Sequence, residues 1–452
     1  MGVGEHIRKP NGKHQLRADL FSLAWPAMLE HMLQSALFMI NTALAGRLGA
    51  TALAAGGISN ILLFFTFAVF MGIGVGALAL IARAHGANDI RMAHRAGRQA
   101  MITAITVSSV SAGVLGLWSE QILSVLGATQ AVIDLAVPYL ILGGLSAPFQ
   151  AIVVIVGSIM RGAGDTRTPM FGSGVMALIN LILGFLLVFD VVGPGGLGFM
   201  GIGIAFCVAR ISAAILMLVL VYRSPFRAGI IGPYRPDFPM LRRLWRVAAP
   251  AAGEQVIHIG GVIAFSTIGL QLGAVSFAGQ NVVGAIISIA YMPSFGIGLA
   301  ASTAVGQSLG ARKIPLAVDF AREATLWGTI VSMLVGVLML LFPRHLVGIF
   351  TSAAPVIDIA EAPVRIIGLF MPVVGLSLVI PGALRGAGDT RATFVISLIA
   401  LWLVRVPLAL TLGIWAGLGL PGIWLAGGLQ YTVFAALSLI RFRSGRWKTI
   451  HV

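Results

Sequence analysis

Glu30 and Glu254 are the residues best placed to do chemistry. Each lies four residues after a proline inside a long apolar run, and each is followed one helical turn later by a second polar residue, Gln34 and His258 respectively. On a helix, Glu30, Gln34 and Asn41 fall within about 40° of one another and form one polar face. Glu254 and His258 make the matching pair, but Phe265 stands where Asn41 has its counterpart. A carboxylate taken out of water holds a proton more tightly and can load and release it near neutral pH; it can also face a cation. The alternative is a pair of hydrogen-bonded packing groups near helix ends. His258 is then either a neutral partner of Glu254 or a proton carrier. Arg405, inside Trp402–Ala409, is a structural cation paired with a carbonyl or an acid, or else a contact for a ligand. Met71, Met292, Tyr291, Phe295 and Trp25 are candidates to line an adaptable apolar cavity, for which methionine and aromatic side chains are suited.

The elements that hold these residues are apolar throughout. The chain has 452 residues, 58% hydrophobic and 10% charged, with mean hydropathy +0.98. Thr51–Ala82 and Leu135–Met160 carry no charged residue, and between Glu254 and Arg312 only His258 can gain a charge. A spanning helix needs about 20 apolar residues, so this is a polytopic membrane protein. Thr51–Ala82 is one long or broken span. The single cysteine, Cys207, excludes an intrachain disulfide and a cysteine-rich metal site. The first apolar run, from about Leu20, is too long for a cleaved signal and reads as the first span.

Twelve spans are expected, at 18–45, 51–82, 99–118, 132–160, 168–190, 199–221, 244–270, 275–310, 323–342, 356–384, 392–415 and 421–440. The net charge of +15 has a simple origin. With the N-terminus in the cytoplasm, the basic residues collect on that side. They lie in the N-terminal arm, in the loops after spans 2, 4, 6, 8 and 10, and at the C-terminus. Arg47 and Arg344 fall opposite, and Arg210, Arg365 and Arg405 lie within or at the ends of spans. This asymmetry and an even span number place both termini in the cytoplasm.

The sequence repeats itself. RGAGDTR at Arg161–Arg167 returns at Arg385–Arg391, 224 positions later. The same offset pairs Pro26 with Pro250, Glu30 with Glu254, Gly72-Ile73-Gly74 with Gly296-Ile297-Gly298, and Asp134 with Asp358. After the heptapeptide the offset becomes 221, pairing Gly201-Ile202 with Gly422-Ile423. The fold class is therefore all-α: twelve transmembrane helices in two parallel six-helix bundles related by a pseudo-two-fold axis along the membrane normal. The expected domains are an N-terminal lobe at 1–221, a cytoplasmic linker at 222–240 and a C-terminal lobe at 241–452. The heptapeptide reads as a turn: glycine for a tight exit, Asp-Thr to cap the next helix, arginines at the cytoplasmic face. A direct role in transport is the alternative.

Taken in order, these motifs resemble the multidrug and toxic compound extrusion family. They are P-x-x-x-E in spans 1 and 7, G-R-L-G-A at Gly46–Ala50, R-G-x-G-D-T-R after spans 4 and 10, V-G-Q-x-L-G-A at Val305–Ala311 and W-L-V-R-x-P-L-A at Trp402–Ala409. The resemblance covers nearly the whole chain. It implies secondary active export of organic cations and other amphipathic compounds, driven by inward H⁺ or Na⁺ and with no cofactor. Relatives carry an acid where this chain has Asn41, and pair it with N-x-x-x-D in span 5. Here Asn180 is kept but Gly184 stands at the acid, and Asp358 and Glu361 sit near the outer end of span 10. That departure shifts the expected ion coupling to Glu30 and Glu254, with Asn41, Asn180 and His258 beside them, and favours H⁺ over Na⁺. Gln34, Gln255, Tyr291, Met292 and Arg405 are the expected substrate contacts.

Other classes fit less well. MGIGVG at Met71–Gly76 and FGIGLA at Phe295–Ala300 lack the strand and lysine of a phosphate loop. They suit close helix packing instead. No nucleophile–base set, metal cluster or nucleotide motif is legible, so an enzyme is not expected. The loop after span 2, RAHGANDIRMAHRAGR, does not match the G-x-x-x-D-R-x-G-R-R pattern of major facilitators. A lipid or lipid-linked precursor flippase of the same superfold, or a metabolite exporter, is the runner-up. The expected partners are membrane lipids and a small molecule, with no nucleic acid, and the expected state is a monomer in the inner membrane.

Overall fold

A computed structural model describes residues 13–189, 197–223 and 235–450. The described residues are helical or in short connections, with no strand among them. In the first half, α1 is Lys13–Arg47, α2 Ala50–Gly86, α3 Ile90–Val125, α4 Gln130–Gly162, α5 Arg167–Val188 and α6 Gly198–Tyr222. In the second, α7 is Phe238–Gln271, α8 Ala274–Ala290, α9 Met292–Gly310, α10 Ile314–Leu341, α11 Pro343–Gly348, α12 Ala354–Gly386, α13 Thr390–Leu398, α14 Val406–Leu408 and α15 Gly419–Arg443.

Ten of these segments are long and apolar enough to cross a bilayer, counting Thr390–Trp415 as one. The bent pair α8 and α9 makes an eleventh. The twelfth expected span is α1, which at 35 residues is long enough, about 52 Å at 1.5 Å per residue. Its polar stripe lowers its hydropathy. Several helices run past the apolar segments because caps, not hydropathy, start them. Asp89 accepts from the backbone N–H of Met92 at 2.9 Å, so α3 begins nine residues before its apolar run.

The span expected at 275–310 is broken. α8 and α9 meet at Tyr291 with a bend of 42°. Pro293 lacks an N–H and clashes with the preceding turn, so the helix restarts there. Its counterpart α2 has valine at that position and continues unbroken. The span expected at 392–415 is helical but irregular. Two π-helical stretches, Ile399–Arg405 and Ala409–Trp415, flank the short α14 that contains Pro407.

The described residues group into two compact units, Met1–Met28 with Gly253–Val452, and Leu29–Ala252. Of the expected linker, 224–234 lie outside the described residues. The contact boundaries fall inside α1 and α7, two residues before each glutamate. In the first unit, Leu16, Leu20, Leu23 and Ala24 of α1 share a core with Ile297, Ala300, Phe320 and Val379. In the second, a Cβ on Gly72 would lie 2.5 Å from the backbone nitrogen of Ala252, so α2 and the first half of α7 cross in backbone contact.

Asp237 sets the start of α7. It accepts from Met240 N–H at 3.2 Å and from Arg95 Nε at 2.8 Å. The Arg95 hydrogen bond holds its carboxyl below the usual carboxylate range. A depressed folded pKa gives stability that is full above the unfolded pKa, about 4, and is lost as pH falls through the folded one. Asp237→Ala therefore lowers stability by about 1 kcal/mol at neutral pH, a modest figure because Arg95 is half exposed. Thermal melts should show the gap between the two proteins narrowing as the buffer is taken below about pH 4.

Candidate functional site

The two glutamates do not stand alone. Glu30 is buried on α1, and Arg161, at the end of α4, turns back to it. One guanidinium nitrogen of Arg161, Nη1, donates to both carboxylate oxygens, at 2.8 and 2.9 Å. Its Nη2 donates to Ser158 at 3.3 Å. Gln34 reaches Glu30 at 3.4 Å and the hydroxyl of Ser173, on α5, at 3.5 Å. The second half repeats the arrangement with more donors. Arg385, at the end of α12, donates to Glu254 at 2.6 and 3.4 Å. Thr393 and Ser397 of α13 donate to the same carboxylate at 3.0 and 2.9 Å.

The repeated heptapeptide is thus more than a turn. Its first arginine was expected at the cytoplasmic face, yet Arg161 is buried and Arg385 is only partly exposed. Arginine has the length to snorkel or to fold inward, and a buried carboxylate 131 positions earlier makes inward the lower-energy choice. The glycines behave as expected: Gly164 and Gly388 have φ of 93° and 84°, the left-handed conformation that closes the helix. Asp165 caps α5, accepting from the N–H groups of Arg167 and Thr168 at 3.0 Å each. Its twin Asp389 caps nothing with its side chain and instead binds Arg441 at 2.7 Å.

The other candidates divide. Asn41 and Asn180 are buried, and the Asn41 carbonyl oxygen and both amide atoms of Asn180 have no hydrogen-bond partner among the described residues. Leu44 fills the space beside Gly184: a Cβ there would lie 2.9 Å from its Cδ1. A side chain added here would require the end of Leu44 to turn aside. His258 is exposed and makes no hydrogen bond among the described residues. It lies within electrostatic reach of Arg405, Glu254 and Arg385 but is not the bonded partner of Glu254 expected from their spacing. Gln255 is partly buried and Met292 buried, neither with a polar contact among the described residues. Tyr291 sits at the α8–α9 break within electrostatic reach of Tyr431.

Arg405 is paired with neither a carbonyl nor an acid. It is buried, donates no hydrogen bond among the described residues, and lies over the Phe265 ring at 3.8 Å. Arg210 is also buried without a carboxylate among the described residues, but it reaches the Ser146 hydroxyl at 2.9 Å and stacks on Phe206.

Sequence reading missed Ser173, Thr393 and Ser397, and the partners of both arginines. A signal was available. Ser173 and Ser397 are themselves 224 apart, and both follow the heptapeptide at the same distance.

These features define a class: a helical membrane protein of two repeated halves, each with one buried arginine–glutamate pair. The chain belongs to the MatE family, whose profile matches residues 26–186 and 250–411, one match in each half. It is 31% identical to the probable multidrug resistance protein NorM of Thermotoga maritima, over 96% of this chain and 94% of the relative. The probable NorM of Bradyrhizobium diazoefficiens is 29% identical, over 94% and 92%. The fold is shared with the Vibrio cholerae MATE transporter VcmN in its bent form, with TM-score 0.87 and 20% identity over 95% and 97% of the two chains. It is also shared with a MOP superfamily transporter from Pyrococcus furiosus, with TM-score 0.90 and 18% identity over 99% of each. The protein is a transporter of the multidrug efflux family, not an enzyme.

Proposed function

We propose that this chain is a proton-driven antiporter of the inner membrane that expels amphipathic organic compounds, organic cations among them, and works as a monomer with both termini cytoplasmic. The observation that carries this reading is the buried pair in each half, Glu30 with Arg161 and Glu254 with Arg385. A buried ion pair is a two-state element. Protonating the carboxylate removes its hold on the guanidinium, and the freed arginine must find another acceptor or water. A proton entering from outside then opens the pair, and its release to the cytoplasm closes it again. Such a cycle couples proton entry to a change of conformation.

H⁺ is favoured over Na⁺ by the donor set. Glu254 already accepts from a guanidinium and two hydroxyls, so its lone pairs are engaged by donors that a metal cation would have to displace. Asn41 and Asn180 bring no negative charge. The one-sided arginine distribution supports the orientation.

The test is transport of a fluorescent organic cation by the protein in liposomes, under a pH gradient and then a Na⁺ gradient. Movement should follow the pH gradient and stop in Glu254→Gln. Movement that follows only Na⁺ overturns the coupling. No movement of cations under either gradient transfers the argument to the lipid-flippase or metabolite readings.

A further inference from the structure

We propose that Arg405 anchors a binding site for the carboxylate group of an aromatic, amphipathic compound, within the compact unit that contains Gly253–Val452. The inference deepens the transport reading, since the compound bound is the cargo.

An arginine carries five N–H donors and a charge that no physiological pH removes. Arg405 is 8% exposed and makes no hydrogen bond to any described residue. Its Nε is fully enclosed without a partner. Among the described residues no carboxylate lies within ion-pair distance of it, and Tyr431 and His258 are within its electrostatic reach. The contrast with Arg161 and Arg385 is sharp, because each of those has its own glutamate. A buried charge without a counter-ion is costly, and a ligand carrying the opposite charge would offset that cost.

The surroundings say what kind of ligand. The Arg405 guanidinium carbon lies 3.8 Å from the centre of the Phe265 ring, which covers one face of the group, and its two terminal nitrogens are the pair with which arginine can grip a carboxylate through two parallel bonds. The ring of Trp424 meets Phe265 edge-on at 5.3 Å, and its indole N–H is a second buried donor without a partner. Tyr291 and Tyr431 pack against the same core. The cluster thus offers one cationic fork, one neutral donor and flat aromatic walls. One unmatched positive charge calls for one negative charge. A phosphate dianion or a diphosphate would leave charge uncompensated in an apolar surround. The backbone agrees: Arg405 ends a π-helical stretch, a departure from α-helix that is frequent at functional sites.

The purified full-length protein, with no gradient applied, should be titrated by equilibrium dialysis with 2-naphthoate, 2-naphthamide and 2-naphthyl phosphate. The acid should bind at least about tenfold more tightly than the amide, the worth of a hydrogen-bonded charge. That preference should vanish in Arg405→Leu and survive in part in Arg405→Lys. Arg405→Leu should melt no lower than the unaltered protein, whereas a purely structural arginine would lower it. Equal binding of acid and amide, an acid preference that persists in Arg405→Leu, or tighter binding of the naphthyl phosphate each overturns the proposal. Because no gradient is present, the result is independent of whether protons drive transport.

Discussion

Replacing Arg385 by methionine should cost this protein both its stability and its transport, and adding Glu254→Gln should return the stability alone. The single change leaves Glu254 charged, buried and held only by the hydroxyls of Thr393 and Ser397. Removing one member of a buried pair costs about 3–5 kcal/mol, and the partial exposure of Arg385 places this case at the lower end. In the double variant nothing charged remains, and a neutral amide bonded to two hydroxyls replaces the pair. Stability should recover most of the loss, since uncharged substitutes for buried ion pairs are often neutral or better. Transport should not recover, because no group is left to take the proton. Thermal melts of the four proteins complete the cycle, and the coupling energy should be about 3 kcal/mol or more. Simple additivity would show that the two side chains do not act as a pair. The same cycle at Glu30 and Arg161 should give a coupling of the same sign.

Gly386→Ala should be among the most damaging small substitutions in the chain. Gly386 follows Arg385 directly, and an added Cβ would run into the backbone carbonyl of Ser302 on α9. One turn earlier, Gly382 stands against the backbone of Gly298 in the same way. α9 and α12 therefore touch main chain to main chain, and that approach lets the end of α12 deliver Arg385 to Glu254. Overpacking of this kind costs about 1–3 kcal/mol and more when backbone must move. Gly162, the twin in the first half, meets Ile81 and the carbonyl of Leu78 at 3.1 Å, so Gly162→Ala should cost less. Gly113→Ala is the control, as nothing lies within 4 Å of the added methyl. The yield of monodisperse protein on size exclusion should rank the three variants 113, 162, 386 from best to worst. Full yield from Gly386→Ala would show that the helices have room to spare.

Much of this protein is legible in its residues because membrane folding is dominated by local patterns. Twenty apolar residues must form a helix wherever water is absent, and arginine placement tells one side from the other. A repeat of 224 residues needs no structure to be seen, and it names Glu30 with Glu254 and Arg161 with Arg385 as equivalents. What it does not say is that the glutamate and the arginine meet. They are 131 positions apart, and the outcome depends on whether a long side chain bends toward water or toward the bundle. That choice is made by the packing of α1 on α4 and α5, and of α7 on α12 and α13. Only those contacts bring Thr393 and Ser397 to one carboxylate and leave His258 with none. Arg405 is the complementary case. Its sequence position marks it as an intramembrane charge, while only the fold shows that it lies on Phe265 with no acid bonded to it among the described residues. Composition fixes where polar groups are rare; tertiary packing alone decides which of those few find one another.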